Sequence, residues 1–205
     1  VLLPEPGINP GLTTSLEAGS NDFWRARVLW DSSAETDTDS AWNAGLTLDS
    51  DGGYREDSGH KQTRGFWNLE QQKNSGVFKA SVSGSWLDQE TAGFIKGDKD
   101  IYKDPEINRT NPNPEAYRKA SSLRAQASWL PDSTGPWTVR NTGYLRWSEM
   151  DFLMHFLPGQ PREKNGQVSG GYMLFGQRDS IWDSLLTTGL DLELASAYMD
   201  QFQDG

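Results

Sequence analysis

Strict alternation of apolar and polar residues recurs along the chain and constrains its fold more than any other feature. Within 77–87, the odd positions from 79 to 85 are lysine or serine and form one face. The even positions form the other face, which carries Phe78, Ala80, Val82, Gly84 and Trp86. Residues 123–129 and 137–147 repeat the pattern, with Asn141 as a polar exception on the apolar side. A period of two is typical of half-buried β-strands, and helical periodicity is nearly absent. The sequence therefore predicts an all-β fold.

The same pattern predicts about nine strands, at 12–18, 22–31, 41–50, 62–72, 77–88, 121–130, 137–149, 167–178 and 184–197. Short connections at 73–75 and 131–136 alternate with longer polar segments at 51–61, 89–120 and 150–166. This alternation is typical of an antiparallel up-and-down meander with tight turns on one side and long loops on the other. One stretch is ambiguous, because a helical turn would also fit the spacing of Ile181, Trp182, Leu185 and Leu186.

Composition excludes several classes of protein. The chain has no run of eighteen apolar residues, which argues against a transmembrane helix. Cysteine is absent, so a disulfide scaffold, a cysteine metal site and a cysteine nucleophile are excluded. The net charge of -10 would repel a phosphate backbone, so we do not expect nucleic acid as a partner.

Two architectures fit alternating strands: a soluble sandwich that buries the apolar face, and a membrane barrel that turns this face toward lipid. The tryptophans favour the barrel. Eight of nine lie on the apolar face of their strand, mostly near a strand end: Trp24, Trp30, Trp42, Trp67, Trp86, Trp129, Trp137 and Trp147. Lipid interfaces select two such aromatic girdles, because indole combines an apolar body with one N–H group. A hydrophobic content of only 35% also fits a barrel, whose polar face needs no core.

Charged residues populate the opposite face of the predicted strands: Arg25, Arg27, Arg64, Glu70, Lys79, Arg124, Arg140, Arg146, Asp191 and Glu193. In a sandwich this face would simply meet solvent. In a large barrel it would line the lumen, where opposite charges on neighbouring strands can pair or hold a plug.

The chain resembles part of a known family. Long alternating strands, tight turns on one side and a large third loop are similar to the barrel of a TonB-dependent outer-membrane receptor. Residues 1–7 resemble the end of that family's plug domain, where an apolar strand enters a proline-containing crossover. Residues 15–20 resemble its first barrel strand and turn, and residues 89–94 with 111–118 resemble one of its loop types.

The resemblance implies an incomplete transmembrane β-barrel in the bacterial outer membrane. Residues 1–11 would end the plug and cross over, and residues 12–205 would form the N-terminal part of the barrel. Its partners would be outer-membrane lipid, the plug domain and remaining barrel strands of a longer product, and the TonB complex acting through the plug. The ligand would be a siderophore or other metal chelate, a cobalamin-like molecule or an oligosaccharide.

No catalytic signature is present, so we predict that the chain is not an enzyme and needs no cofactor. The carboxylates Asp98, Asp100 and Asp104 lack the bidentate glutamate and fixed glycine of a calcium loop, and we expect no metal there. Three rivals to the transporter stay open: a secreted β-sandwich that stacks tryptophans on carbohydrate, a β-rich hydrolase, and a passive porin.

The long loops are the expected site of ligand recognition, because they combine aromatic residues with cations. The candidate ligand-binding residues are Phe94, Lys96, Tyr102, Arg109, Tyr117 and Arg118 in segment 89–120, and Phe152, His155, Phe156 and Arg162 in segment 150–166. The apolar run 150–157 has two interpretations. It either continues strands and packs loops together, or it forms the wall of a ligand pocket in which His155 is a hydrogen-bonding group.

Overall fold

The computed structural model describes residues 5–32, 40–98, 100–132, 135–179 and 184–203. They form one antiparallel sheet of nine strands, paired in sequence order. The strands are β1 (Gly11–Ala18), β2 (Trp24–Asp31), β3 (Ser40–Asp51), β4 (His60–Lys73), β5 (Gly76–Glu90), β6 (Tyr117–Pro131), β7 (Trp137–Leu153), β8 (Arg162–Asp179) and β9 (Leu185–Phe202). One 3-10 turn lies at Ile101–Lys103. The predicted all-β, up-and-down meander is confirmed.

The ambiguous stretch near the end is resolved only in part. Leu185 and Leu186 begin β9, whereas Ile181 and Trp182 lie outside the described residues. Nothing in the described part of the chain is a helix of the length and hydropathy that crossing a bilayer requires.

Strand register places the alternating residues on two distinct faces. Val82 pairs with Trp67 and Ala125, whereas its neighbour Ser81 pairs with Asn68 and Gln126. Followed from β1 to β9, this register puts all eight described tryptophans on the face that holds Val82, here called the apolar face. The face that holds Ser81 is called the polar face.

The apolar face is not covered by a second layer. Large apolar side chains on it stay open, with Leu194 85%, Leu16 78% and Leu145 66% exposed. Among the described residues, the only buried apolar ones apart from Pro161 and glycines are Ala116, Tyr144 and Met154, while seven polar or charged residues are buried. A sandwich would bury its apolar faces between two sheets. The described strands form one sheet and build no such core.

The polar exception on the apolar face finds a partner within that face. The hydroxyl of Tyr172 donates a hydrogen bond of 2.5 Å to Oδ1 of Asn141. Tyr172 pairs in register with Gly143, two residues from Asn141, so the contact is a diagonal one between β7 and β8. Satisfying the amide oxygen in this way lowers the cost of placing asparagine among apolar neighbours.

Several strands extend further at one end than the alternation predicted. There the apolar side chains give way to a row of alternating charges in register across six strands: Lys61, Asp88, Lys119, Asp151, Lys164 and Asp200. Nζ of Lys119 lies 3.8 Å from Asp88, and Nζ of Lys164 lies 3.9 Å from Asp151. Opposite charges on neighbouring strands support pairing where apolar residues no longer do.

The longer strands correct the expected position of four candidate ligand residues. Tyr117 and Arg118 open β6, Phe152 is near the end of β7, and Arg162 opens β8. All four were expected in loops.

Residues just before β1 are fastened to the far end of β2. The carboxylate of Asp31, itself only 5% exposed, accepts hydrogen bonds from the backbone N–H groups of Gly7 (2.7 Å) and Asn9 (3.0 Å). Charge-assisted bonds of this kind are about twice as strong as neutral ones. The segment that enters β1 therefore has a fixed direction.

Candidate ligand-binding site at the loop end of the sheet

Three connections, 52–59, 91–116 and 154–161, leave the same end of the sheet, here called the loop end. The first two are tied together by Arg55. Its Nε and Nη2 donate to the carbonyl of Thr110 at 2.9 and 2.7 Å, and its Nη1 donates to the carbonyl of Gly93 at 2.6 Å. A planar guanidinium with five donors suits this fixed, multidentate contact.

Other bonds reinforce the same contact between loops. The backbone N–H of Glu56 donates to the carbonyl of Arg109 at 2.8 Å, and the side-chain amide of Asn111 donates to the carbonyl of Asp57 at 2.9 Å. Segments 52–59 and 91–116 thus form one connected surface rather than two independent loops.

A cavity of about 240 Å³ lies beside this surface. Its lining residues are Thr91, Arg118, Met150, Phe152, Leu153, His155 and Phe156, here called the mouth pocket. Four of the candidate ligand residues come together in it: Arg118, Phe152, His155 and Phe156.

The mouth pocket combines an aromatic wall with two nitrogen-bearing groups. Arg118 is exposed and donates to Oε1 of Gln89 from Nη2 at 2.6 Å and from Nε at 3.2 Å. Because that acceptor is neutral, the positive charge of Arg118 is not balanced by any ion pair within the described residues. The imidazole of His155 meets the ring of Phe156 edge to face, with centroids 5.7 Å apart. The buried Nδ1 of His155 has no hydrogen-bond partner among the described residues.

The backbone behind the pocket depends on a close approach at Gly93. A Cβ there would come within 2.1 Å of Oδ1 of Asn113 and 3.4 Å of Cδ2 of His155. Glycine leaves room here for the side chain of Asn113, whereas the distance to His155 would be an ordinary contact. Arg55 holds the carbonyl of Gly93 and therefore positions the segment that carries Thr91.

Glu115 adds a carboxylate near this imidazole. Its own backbone N–H donates to the carboxylate, and with smaller contributions from Asn113, Gln160 and His155 this holds the pKa of Glu115 below its usual value. The carboxylate of Glu115 is therefore ionised over the neutral pH range. Because it would repel an anionic group of a ligand, it favours contact of such a group with Arg118.

The remaining candidate residues lie elsewhere. Tyr117 and Arg162 both contact Asp151 on the apolar side of the strand ends. The hydroxyl of Tyr117 donates to Oδ1 of Asp151 at 3.0 Å, and Nε of Arg162 donates to the same oxygen at 2.8 Å. They take the side of the sheet opposite to Arg118 because successive residues of a strand alternate between faces.

The other loop candidates do not line the cavity. Phe94 is 71% exposed, with Nζ of Lys96 5.8 Å from its ring centre. The guanidinium of Arg109 lies 5.1 Å from the ring of Tyr54, within the contact between loops. Tyr102 belongs to the 3-10 turn, and its side chain is outside the described residues.

Sequence reasoning missed Thr91 and Arg55. Thr91 follows the last residue of β5 and gave no chemical signal of its own. Arg55 acts through carbonyl groups that are 38 and 55 residues away along the chain, and no local pattern reveals such contacts.

A second cavity, of about 310 Å³, is open and lies where Gly65 and Gly84 pair on the apolar face. We do not take it as the functional site, since it lacks any charged group. The described residues also contain no cluster of three or more histidines and carboxylates able to hold a metal ion.

The polar face carries a network of ion pairs and hydrogen bonds between side chains. Asp49, whose side chain is 1% exposed, lies 3.0 Å from both Nε2 of His60 and Nη2 of Arg64. Nζ of Lys79 lies 2.7 Å from Glu70. Opposite charges on neighbouring strands of this face therefore pair with each other.

Comparisons with protein-family models, with curated proteins and with solved structures found no match to this chain.

Proposed function

We propose that this chain is the N-terminal part of the barrel of an outer-membrane active transporter, similar to a TonB-dependent receptor. Its loop end would capture a scarce small-molecule ligand, such as a metal chelate, a cobalamin-like molecule or an oligosaccharide. Movement of a plug domain in the lumen, driven by the TonB complex, would then admit the ligand. The chain would supply barrel wall and outer loops, and it would break no bond.

One observation carries this proposal: a single sheet presents an uncovered apolar face on which all eight described tryptophans lie. Water would penalise that exposure by roughly 25 cal/mol for each Å² of apolar surface. A bilayer removes the penalty, and the tryptophans near the strand ends suit its two interfaces. Trp30 and Trp42 at the turn end even contact each other, with ring centroids 5.6 Å apart.

The two ends and the polar face support the same assignment. The loop end carries segment 91–116, whereas only Asn74 and Ser75 join β4 to β5 at the other end. Outer-membrane barrels have long loops outside and short turns in the periplasm. The ion pairs of the polar face suit a water-filled or plugged lumen.

The rival functions require structural features that a plugged transporter does not. A carbohydrate-binding sandwich needs a second sheet over the apolar face, and a passive porin needs an open lumen without a plug.

The experiment separates these possibilities with the full-length gene product. After extraction in detergent, a barrel migrates differently on a gel with and without boiling, and it fractionates with the outer membrane. In planar bilayers, a plugged receptor conducts only after the plug is unfolded with urea, whereas a porin conducts at once. A water-soluble product with one gel mobility would refute the proposal.

A further inference from the structure

Two arginines face each other on the polar face. Arg124 of β6 and Arg146 of β7 are direct register partners. Directly opposite side chains in an antiparallel pair have Cβ atoms about 4.5–5.5 Å apart, and like charges in that position are destabilising. Arg124 is exposed and forms no hydrogen bond or ion pair with any described residue. The sheet thus holds two guanidinium groups together without a full counter-charge.

The second arginine is fixed in position by its surroundings. Its guanidinium lies 4.5 Å from the ring centre of Tyr144, which is only 7% exposed. That ring lies over Gly171, where a Cβ would come within 2.4 Å of it, and its hydroxyl bonds to Asp191 at 3.2 Å and to Glu193 at 3.1 Å. Oε1 of Glu193 is also 3.6 Å from Nη1 of Arg146. Of these two carboxylates only Glu193 is within ion-pair distance of Arg146, and neither pairs with Arg124, whose charge is therefore not offset by an ion pair with a described residue.

Serine residues surround the pair. Ser83 shares the row of Arg124, and Ser122 and Ser148 form the next row toward the loop end. Their hydroxyls can donate hydrogen bonds to an anion, and their small size leaves space above the arginines. Ser169, in the row of Arg146, is only 2% exposed and lies beside Glu193, so it is no donor to an anion above the sheet.

We infer that Arg124 and Arg146 form an anion-binding site on the polar face, which takes a small molecule bearing a carboxylate or phosphate group. Guanidinium groups bind both of these in bidentate geometry. The site is distinct from the mouth pocket: Arg124 is six residues from Arg118 along β6, which is about 20 Å on an extended strand. The inference goes beyond the proposed function, since the geometry does not depend on transport.

The test measures thermal unfolding of the full-length protein in detergent, with inorganic phosphate titrated against chloride at constant ionic strength. An anion that binds only the folded state raises Tm. We expect phosphate to raise the Tm of the wild type. In Arg124→Gln the rise should be abolished, and the variant should be at least as stable as the wild type in chloride, because the repulsion is gone.

Arg140→Gln is the matched control. Arg140 also lies on the polar face of β7, but its register partner on β8 is Phe175 rather than a second arginine. This variant should keep the full response to phosphate. Equilibrium dialysis with labelled phosphate gives an independent reading, in which Arg124→Gln should weaken binding at least tenfold.

Two results would overturn the inference: an equal phosphate response in Arg124→Gln and the wild type, or an equal loss of response in Arg140→Gln. A product that is not a barrel but keeps the Arg124-dependent response would refute the proposed function alone. A barrel without that response would refute the anion site alone.

Discussion

Placing an arginine on either side of one strand tests the assignment of the faces. In the full-length protein, Val82→Arg puts a cation on the apolar face between Trp67 and Ala125. Ser81→Arg puts the same side chain on the polar face, between Asn68 and Gln126. The two variants are adjacent in sequence and identical in the residue introduced, so only the face differs.

The register gives the expected size of the effect. Val82 is at the centre of the apolar stretch from Phe78 to Trp86 on β5. This stretch measures about 27 Å along the strand. With a tilt of about 40° it spans about 21 Å of the bilayer normal, close to the roughly 25 Å apolar band of such barrels. In the proposed barrel, Val82 would therefore be near the midplane, where arginine costs about 2–4 kcal/mol.

Folding into lipid vesicles, followed by urea titration and unboiled gel mobility, measures this cost. Val82→Arg should lower the folding equilibrium constant by about 30- to 700-fold, since 1.4 kcal/mol is a factor of ten. Ser81→Arg should change it little. Ala127→Arg on β6 should lower the folding equilibrium constant in the same way. Its neighbour Ser128 is a poorer control position than Ser81, because the Ser128 hydroxyl bonds to that of Thr142 at 2.8 Å. Equal tolerance of arginine at positions 81 and 82 would refute the reasoning.

Three further outcomes follow from the same structure. The isolated 205-residue chain should aggregate or require detergent, because β1 and β9 each keep one unpaired edge beside an uncovered apolar face. A soluble monomer in analytical ultracentrifugation that also unfolds cooperatively would contradict this. Deleting 96–110 from the full-length protein removes the Thr110 carbonyl that Arg55 holds beside the mouth pocket; assembly should stay intact and ligand binding should fall at least tenfold, and unchanged binding would show that this loop does not position the pocket. Arg55→Ala removes three hydrogen bonds to loop carbonyls and should speed proteolysis at the loop end without altering heat-modifiable mobility, whereas Arg55→Lys should restore only part of the protection.

Strand number and facing were predictable because both follow from local spacing. A period of two assigns every residue of a strand to a face, so Val82 and the tryptophans were placed correctly without any knowledge of the partner strands. Strand ends were not predictable in this way. Lys119 and Asp151 interrupt the apolar pattern, yet they pair across strands and continue the sheet.

The candidate site was predictable only in part, for a related reason. Composition drew attention to aromatic and cationic residues near the loops, which included Arg118 and Phe152. Composition does not assign a face, so Tyr117 was grouped with Arg118 although adjacent strand residues point to opposite sides. The anchoring role of Arg55 rests on contacts between distant loops, and these become visible only in three dimensions.

The most direct test of the central claim is a nitroxide scan along β5 of the full-length protein in lipid. These 205 residues contain no cysteine, so single cysteines introduced at 78–86 supply the only labelling sites within them. Spin relaxation by oxygen, which partitions into hydrocarbon, is compared with relaxation by a water-soluble nickel chelate. Labels at the even positions from Phe78 to Trp86 should respond strongly to oxygen and weakly to nickel, with the reverse at Lys79, Ser81, Ser83 and Ser85. Even positions shielded from both reagents, as in a packed protein core, would contradict the account.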